Sequence, residues 1–273
     1  MATSRPVALV TGANSGLGKF AARALMDAGF QVVGTSRKTS GLDHSQGVTF
    51  IDLDVTRDES VASAVEAVIA QFGRIDVLVN NAGMGLAGAS EENSIAQTQK
   101  LFDVNVFGVI RMTNAVLPYM RRQGSGRIIN ISSIFGLMPG PYMAAYSATK
   151  YAVEGYSESA DHEVREHNIR VLLVEPHGTR TRFDDNTAAP DNPLPAYERQ
   201  RESSKQAVAD QVNNGDDPRV VAKVIVAAAT DSTPKLRYPA GKARQLSVMR
   251  RFAPRRIFDK QLRKALGVRG VTV

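Results

Sequence analysis

The 273-residue sequence predicts one α/β domain, doubly wound around a parallel sheet of about seven strands and flanked by helices. Three observations carry that expectation. Short uninterrupted apolar runs, such as Val7-Ala8-Leu9-Val10, recur along the chain, and runs of this kind suit strands covered on both faces. They alternate with helix-length amphipathic stretches, the order from which crossover connections build a parallel sheet. The first apolar run opens into a glycine-rich turn and then a helix, an arrangement that presents backbone N–H groups to an anion. An apolar fraction of 43% over this length is ample for a single core.

Composition narrows the chemistry. The chain has no Cys, so a disulfide framework, a thiolate metal site and a cysteine nucleophile are excluded, and a reducing, cytoplasmic setting is expected. Residues Met1 to Pro6 lack an apolar run of signal-peptide length, and no stretch approaches the roughly 20 apolar residues of a membrane span. The net charge of +7 admits an anionic partner, but there is no zinc-finger spacing and no aromatic-rich basic ribbon, so nucleic acid is not expected. His44 falls in a loop, and His162 and His167 fall on the far, polar part of a predicted helix. No histidine pair has metal-ligand context, and no metal is expected.

The elements follow in order. Val7–Val10 reads as the first strand. Thr11-Gly12-Ala13-Asn14-Ser15-Gly16-Leu17-Gly18 is the glycine turn, and Lys19 to Ala28 is a helix ended by Gly29. A nucleoside-triphosphate P-loop is excluded, because Ala13 stands where its first glycine belongs and Phe20 where Ser or Thr should follow Lys19. The spacing here is G-x-x-x-G-x-G. Gln31 to Ser36 is the second strand. An acid at its end binds the ribose 2′-hydroxyl of NAD, while a nearby Arg accommodates the 2′-phosphate of NADP. This chain has Thr35-Ser36-Arg37-Lys38 and no acid, which favours NADP(H) over NAD(H). Val48 to Leu53 is the third strand, Asp58 to Phe72 an amphipathic helix, and Ile75 to Val79 the fourth strand, running into Asn80-Asn81-Ala82-Gly83. Arg127 to Ile131 is the fifth strand and Ile169 to Glu175 the sixth. Asp217-Pro218 reads as an N-cap with Pro at the first helical position, opening a helix through Ala229. Leu236-Arg237-Tyr238 is a candidate seventh strand.

Between the fifth and sixth strands lies Tyr146-Ser147-Ala148-Thr149-Lys150, at the start of a helical stretch. Residues four apart share a helix face, so Lys150 stands one turn beyond Tyr146. A phenol has a reference pKa of about 10, and a neighbouring ammonium favours the phenolate. Such a pair suits proton exchange with a carbonyl or alcohol oxygen.

Together these landmarks resemble the short-chain dehydrogenase/reductase family, in the subgroup with TGxxxGxG and YxxxK motifs. The match comprises Thr11 to Gly18, Asp54-Val55 after the third strand, Asn80 to Gly83, Asn105, Ser133, and Tyr146 with Lys150. The resemblance covers about two thirds of the chain and implies a Rossmann-type fold. It implies catalytic roles for Asn105, Ser133, Tyr146 and Lys150. Asn105 would anchor a water for proton relay, Ser133 would hold the substrate oxygen, Tyr146 would transfer the proton, and Lys150 would hold the nicotinamide ribose. The cofactor would be bound by Gly12, Asn14, Ser15, Gly16, Leu17 and Gly18 in the first turn, and by Ser36 and Arg37 after the second strand. Asp54 and Val55, Asn81, Ala82 and Gly83, Tyr146 and Lys150, and Pro176, Gly178, Thr179 and Thr181 complete the set. Asn80 and Ser132 are read as structural. The family commonly forms dimers and tetramers through the helices near Asn105 and Tyr146, so a homodimer or homotetramer is expected.

The remaining stretches are less determined. His177 occupies a slot the family usually gives to Gly; it either touches a ligand or is tolerated because Gly178 takes the unusual backbone torsion. Residues 182–217 are polar, with Pro190, Pro193 and Pro195, and read as a mobile substrate lid in which Phe183 and Tyr197 are the aromatics. Leu137, Met138, Pro139, Tyr142 and Met143 either wall a hydrophobic substrate site or pack their loop. Residues 242–267 form a basic helical extension whose stripe Phe258, Leu262, Leu266 either packs on its own domain or a sister subunit, or rests on a membrane surface. The expected function is NADP(H)-dependent interconversion of a ketone or aldehyde and an alcohol on a hydrophobic small-molecule substrate. The alternatives are an NAD-dependent alcohol dehydrogenase and a non-enzymatic cofactor sensor.

Overall fold

The computed structural model describes residues 5–42, 47–181, 183 and 186–268. His44, and Arg182 at the head of the lid segment, lie outside the described residues. The chain runs β1 (Val7–Val10), α1 (Gly16–Asp27), β2 (Gln31–Ser36), β3 (Thr49–Asp52), α2 (Asp58–Phe72), β4 (Val77–Asn80) and β5 (Gly85–Leu86). It continues through α3 (Ile95–Phe102), α4 (Gly108–Gln123), β6 (Gly126–Ile131), α5 (Ala144–Val164), β7 (Ile169–Pro176) and β8 (Thr187–Ala188). The last elements are α6 (Pro195–Asn213), α7 (Pro218–Thr230), β9 (Arg237–Ala240), α8 (Ala243–Phe252) and α9 (Arg255–Ala265).

Seven strands form one sheet in the order β3-β2-β1-β4-β6-β7-β9, and every pairing is parallel. Strand residues alternate between the two faces. Val7 and Leu9 join the core built with α2, α4 and α5, while Ala8 and Val10 join the one built with α1 and α7. Both faces are therefore covered, which is why these strands read as continuous apolar runs. The strand order reverses between β1 and β4, and this is where a crevice opens beyond the carboxyl ends.

Several boundaries differ from expectation for identifiable reasons. Helix α1 begins at Gly16, inside the glycine turn, so its first turn is part of the cradle. The Asp217 carboxylate accepts the Arg219 N–H at 2.8 Å and caps α7, in line with the Asp-Pro reading. The 182–217 segment is not a loop throughout: its second half is the 19-residue helix α6. The three prolines mark the approach to that helix, and Pro195 stands at its first position, where a missing N–H costs nothing. The basic extension is two helices broken at Pro254, and Phe258, Leu262 and Leu266 are buried against Ile134, Met138 and Ala243. The stripe packs on its own domain.

Candidate active site

The first turn is held open by bonds from the neighbouring strand. The Thr11 hydroxyl accepts the N–H groups of Asn81 and Ala82, both at 2.9 Å, and the Asn81 amide donates to the Thr11 and Gly12 carbonyls at 2.8 and 3.2 Å. Gly12 and Gly16 adopt φ of 64° and 50°, a region that favours glycine. Gly18 serves differently. It does not line the crevice, and a Cβ there would lie 2.2 Å from the Gly12 carbonyl oxygen, so its lack of a side chain lets α1 pack onto the turn. Ser15 caps α1 with extended backbone and no side-chain bond, and the first turn has no acidic residue. The N–H groups there face an uncontested positive end, suited to a phosphate.

The crevice is one cavity of about 990 Å³. It is lined by Gly12, Asn14, Ser15, Gly16 and Leu17, by Ser36 and Arg37, by Asp54 and Val55, and by Asn81, Ala82 and Gly83. Ser133, Tyr146 and Lys150 line its other end, with Pro176, Gly178, Thr179 and Thr181. Of the catalytic and cofactor-binding residues named from the sequence, only Gly18 and Asn105 stand behind the wall. The end of β2 presents no free acid. Asp52, which pairs with Ser36 in register, is taken up by the Thr39 N–H and hydroxyl at 2.7 and 2.6 Å. Asp54 accepts the Thr56 N–H and hydroxyl, which hold its carboxyl below the usual range. Arg37 forms no ion pair among the described residues.

Ser133 lies just past the end of β6 and caps a short turn, its hydroxyl accepting the Phe135 N–H at 3.2 Å. Tyr146 comes from the first turn of α5, held between Phe135, edge-on at a centroid distance of 6.4 Å, and Phe183, tilted at 5.7 Å. Lys150 lies one turn on, its ammonium donating to the Ile131 carbonyl at 2.8 Å and standing 5.7 Å from the Tyr146 ring centroid. Burial pushes the Tyr146 phenol up to about 12, opposed by the Ser133 hydroxyl, and pushes Lys150 down to about 8, opposed by Glu154. The spacing alone predicts that Lys150 lowers the phenol. In the fold desolvation outweighs it, because the ammonium is drawn to a carbonyl and both groups have lost water. Asn105 sits in a π-helical turn, Asp103–Phe107, between α3 and α4. Such turns interrupt a helix where a side chain must be re-aimed. Its amide bonds both backbone groups of Met84 at 2.9 Å and donates to Thr149 at 3.2 Å, tying the wall to α5.

Other expectations are corrected here. Gly178 has no left-handed torsion; a Cβ there would lie 2.6 Å from the Gln211 carbonyl, so Gly178 is needed where α6 crosses. His177 lines the cavity with its Nδ1 buried and unpartnered. Of the predicted apolar wall, Tyr142 and Met143 line the cavity, while Met138 is buried against α9 and Leu137 and Pro139 are off the wall. Tyr197 does not reach the cavity. Its ring packs on Tyr142 at 6.4 Å and its hydroxyl bonds Glu91. Ile134, Phe135 and Met84, with Val208 of α6, complete the apolar lining; their place depended on long-range packing that no local spacing announces. Asn80 donates to Asn130 at 2.9 Å, which donates to Ser157 at 2.8 Å, a structural ladder between strand ends and α5.

The short chain dehydrogenase family matches residues 6–192. A 3-ketodihydrosphingosine reductase of Bacteroides thetaiotaomicron is 49% identical over 180 residues, 66% of each chain. Retinol dehydrogenase 8 of Bos taurus is 37% identical over 87% of this chain and 82% of its own. A short-chain dehydrogenase crystal structure from Streptomyces avermitilis superposes with a TM-score of 0.85 at 36% identity, covering 97% of this chain and 98% of that one.

Proposed function

Given that the chain belongs to the short-chain dehydrogenase/reductase family of NAD(P)-dependent oxidoreductases, we propose that it reduces a hydrophobic ketone or aldehyde with NADPH. The observation that carries this reading is that one cavity joins the glycine cradle and Arg37 to Ser133, Tyr146 and Lys150. The residues fit a dinucleotide phosphate. Two left-handed glycines, a helix start with no side-chain cap bond and an Arg without an ion pair among the described residues all face the same space. When bound, the nicotinamide supplies the hydride. Arg37 and Ser36 hold the 2′-phosphate, Asn81 and Gly83 line the ribose, and Thr179 and Thr181 close the far side. Ser133 orients the substrate oxygen. Tyr146 gives that oxygen a proton, and a phenol raised to about 12 is held fully protonated for the donation. Lys150, lowered to about 8, sits within reach of neutral pH as the group that returns the proton.

The hydrophobic substrate class is supported by Met84, Ile134, Phe135, Met143 and Phe183 around the phenol, and by relatives named for sphingoid and retinoid substrates. The exposed Phe107 and Tyr151, at the start of α4 and on α5, support association through those helices. A fluorescence titration with NADPH and NADH tests the cofactor. NADPH is expected to bind at least about tenfold more tightly, a difference of about 1.4 kcal/mol. Arg37→Asp should erase that preference. Equal affinity in the parent protein would return the chain to the NAD-dependent alcohol dehydrogenase reading.

A further inference from the structure

The two C-terminal helices leave a second face unexplained. Between Lys242 and Lys264 the chain carries nine Lys and Arg against one Asp. Taking these from the totals of 34 basic and 27 acidic residues leaves 25 and 26, so the whole net charge of +7 resides in this segment. None of the nine cations forms an ion pair among the described residues, whereas the exposed Arg23, Arg165, Arg180 and Arg219 elsewhere on the fold each have an acidic partner. The same stretch concentrates exposed apolar side chains. Among the described residues, Val248, Met249, Phe252 and Ile257 are four of the nine large hydrophobics left in solvent, and Phe252 is 74% and Ile257 56% exposed.

These features alternate around one corner. Arg250 and Arg251 close α8, Phe252 ends it, Pro254 breaks the chain, and Arg255, Arg256 and Ile257 open α9. Phe258 and Leu262 are buried on the domain beneath, so the corner itself is fixed and its outer side chains project from it. The apolar stripe that the sequence offered for a membrane is spent on packing. The residues that remain outside are different ones: the exposed Phe252, with the Arg251 guanidinium 5.6 Å from its ring centroid, and the exposed Ile257, which follows Arg255 and Arg256 in the chain.

We propose that this corner docks the protein onto the surface of an anionic phospholipid bilayer, with Phe252 and Ile257 entering the headgroup region and the surrounding arginines meeting lipid phosphates. Charge complementarity selects the occupant. A second copy of the chain in an isologous contact would set the same cationic patch against itself. Nucleic acid would be served by the arginines but would leave exposed Val248, Ile257 and Met249 without a purpose. The docking helices also pack on Ile134, which lines the cavity, so the bilayer would lie behind the wall of the apolar site. The inference stands whatever carbonyl the enzyme reduces.

Co-sedimentation of the full chain with unilamellar vesicles tests it. The protein is expected to pellet with vesicles of phosphatidylcholine mixed with phosphatidylserine, at least about tenfold more than with phosphatidylcholine alone. Phe252→Asp combined with Ile257→Asp should lower that partitioning by about tenfold or more, since it removes the apolar insertion and adds repulsion. Both positions are exposed, and unchanged NADPH binding by the double variant certifies its fold. Failure to pellet with the anionic vesicles would overturn the proposal. So would equal pelleting of the double variant, which would reduce the patch to unspecific charge, or tight binding of duplex DNA with no vesicle binding.

Discussion

Tyr146 shows what a single residue takes from its surroundings. Its position in a four-residue spacing with Lys150 was legible at once, because helix geometry is local. Its protonation was not. The phenol is buried between Phe135 and Phe183, and burial raises it to about 12 while the nearest ammonium bonds Ile131. Tyr146→Phe keeps the ring and its packing but removes the proton donor. Turnover should fall by about 10²–10⁴-fold with NADPH affinity nearly unchanged. Near-normal turnover, measured beside a cofactor titration, would remove Tyr146 from the mechanism. Gly178 teaches the opposite lesson. Its sequence context suggested an unusual torsion, but the constraint is the Gln211 backbone crossing above it, a contact made by a residue 33 positions away.

At the scale of the element, α6 is the part that composition alone misjudged. Its residues are polar because much of it faces solvent, and the prolines ahead of it look like a loop. What holds it is a buried carboxylate. Glu92 accepts the Leu194 and Ala89 N–H groups, both at 2.8 Å, and pairs with Arg201 of α6. Burial pushes the Glu92 carboxyl up, and those bonds and the Arg201 cation more than offset it. Removing one member of a buried pair costs about 3–5 kcal/mol. Glu92→Ala should therefore loosen α6, seen as faster amide exchange across Pro195–Asn213, and should raise KM for the carbonyl more than it weakens NADPH. Unchanged exchange in α6 would show that its apolar contacts through Val208 suffice. The helices α8 and α9 make the related point that an amphipathic stripe tells only that a face is covered, not by what.

The whole molecule adds a titration that no single element contains. Glu154 of α5 and Glu175 of β7 meet beside Arg237 of β9, which lies 3.1 Å from the first and 3.4 Å from the second. One guanidinium, shared further with Glu158, serves two buried carboxyls, and both Glu175 oxygens lack a hydrogen-bond donor. Burial, with Glu154 adding repulsion, pushes Glu175 up to about 8, whereas the unfolded chain releases that proton near the ordinary carboxylate range. The folded state thus retains a proton that the unfolded state gives up, so this group makes stability fall as pH rises from about 4.5 to about 8. The slope from Lys150 has the opposite sign and lies above pH 8. Glu175→Gln should flatten the decline and raise Tm at pH 8 relative to the parent, by roughly 2–4 °C for each 1 kcal/mol recovered. Parallel Tm profiles of the two proteins between pH 5 and pH 8 would show that Glu175 is not the source.

The sequence by itself determined the seven-strand parallel sheet, its glycine turn, and the parts of the cavity wall made by Gly12, Asn14, Ser15, Gly16, Leu17, Asn81, Ala82, Gly83, Ser133, Tyr146 and Lys150. Each of those follows from local rules, period-two burial, glycine torsions and the carboxyl-end placement of loops in a parallel sheet. Only the tertiary structure decided that Gly18 and Asn105 stand behind the wall, that Met138 belongs to the α9 packing and Phe135 to the site, and which arginines keep a carboxylate. Those outcomes depend on contacts between residues far apart in the chain, and desolvation and close approach act through space rather than along the sequence.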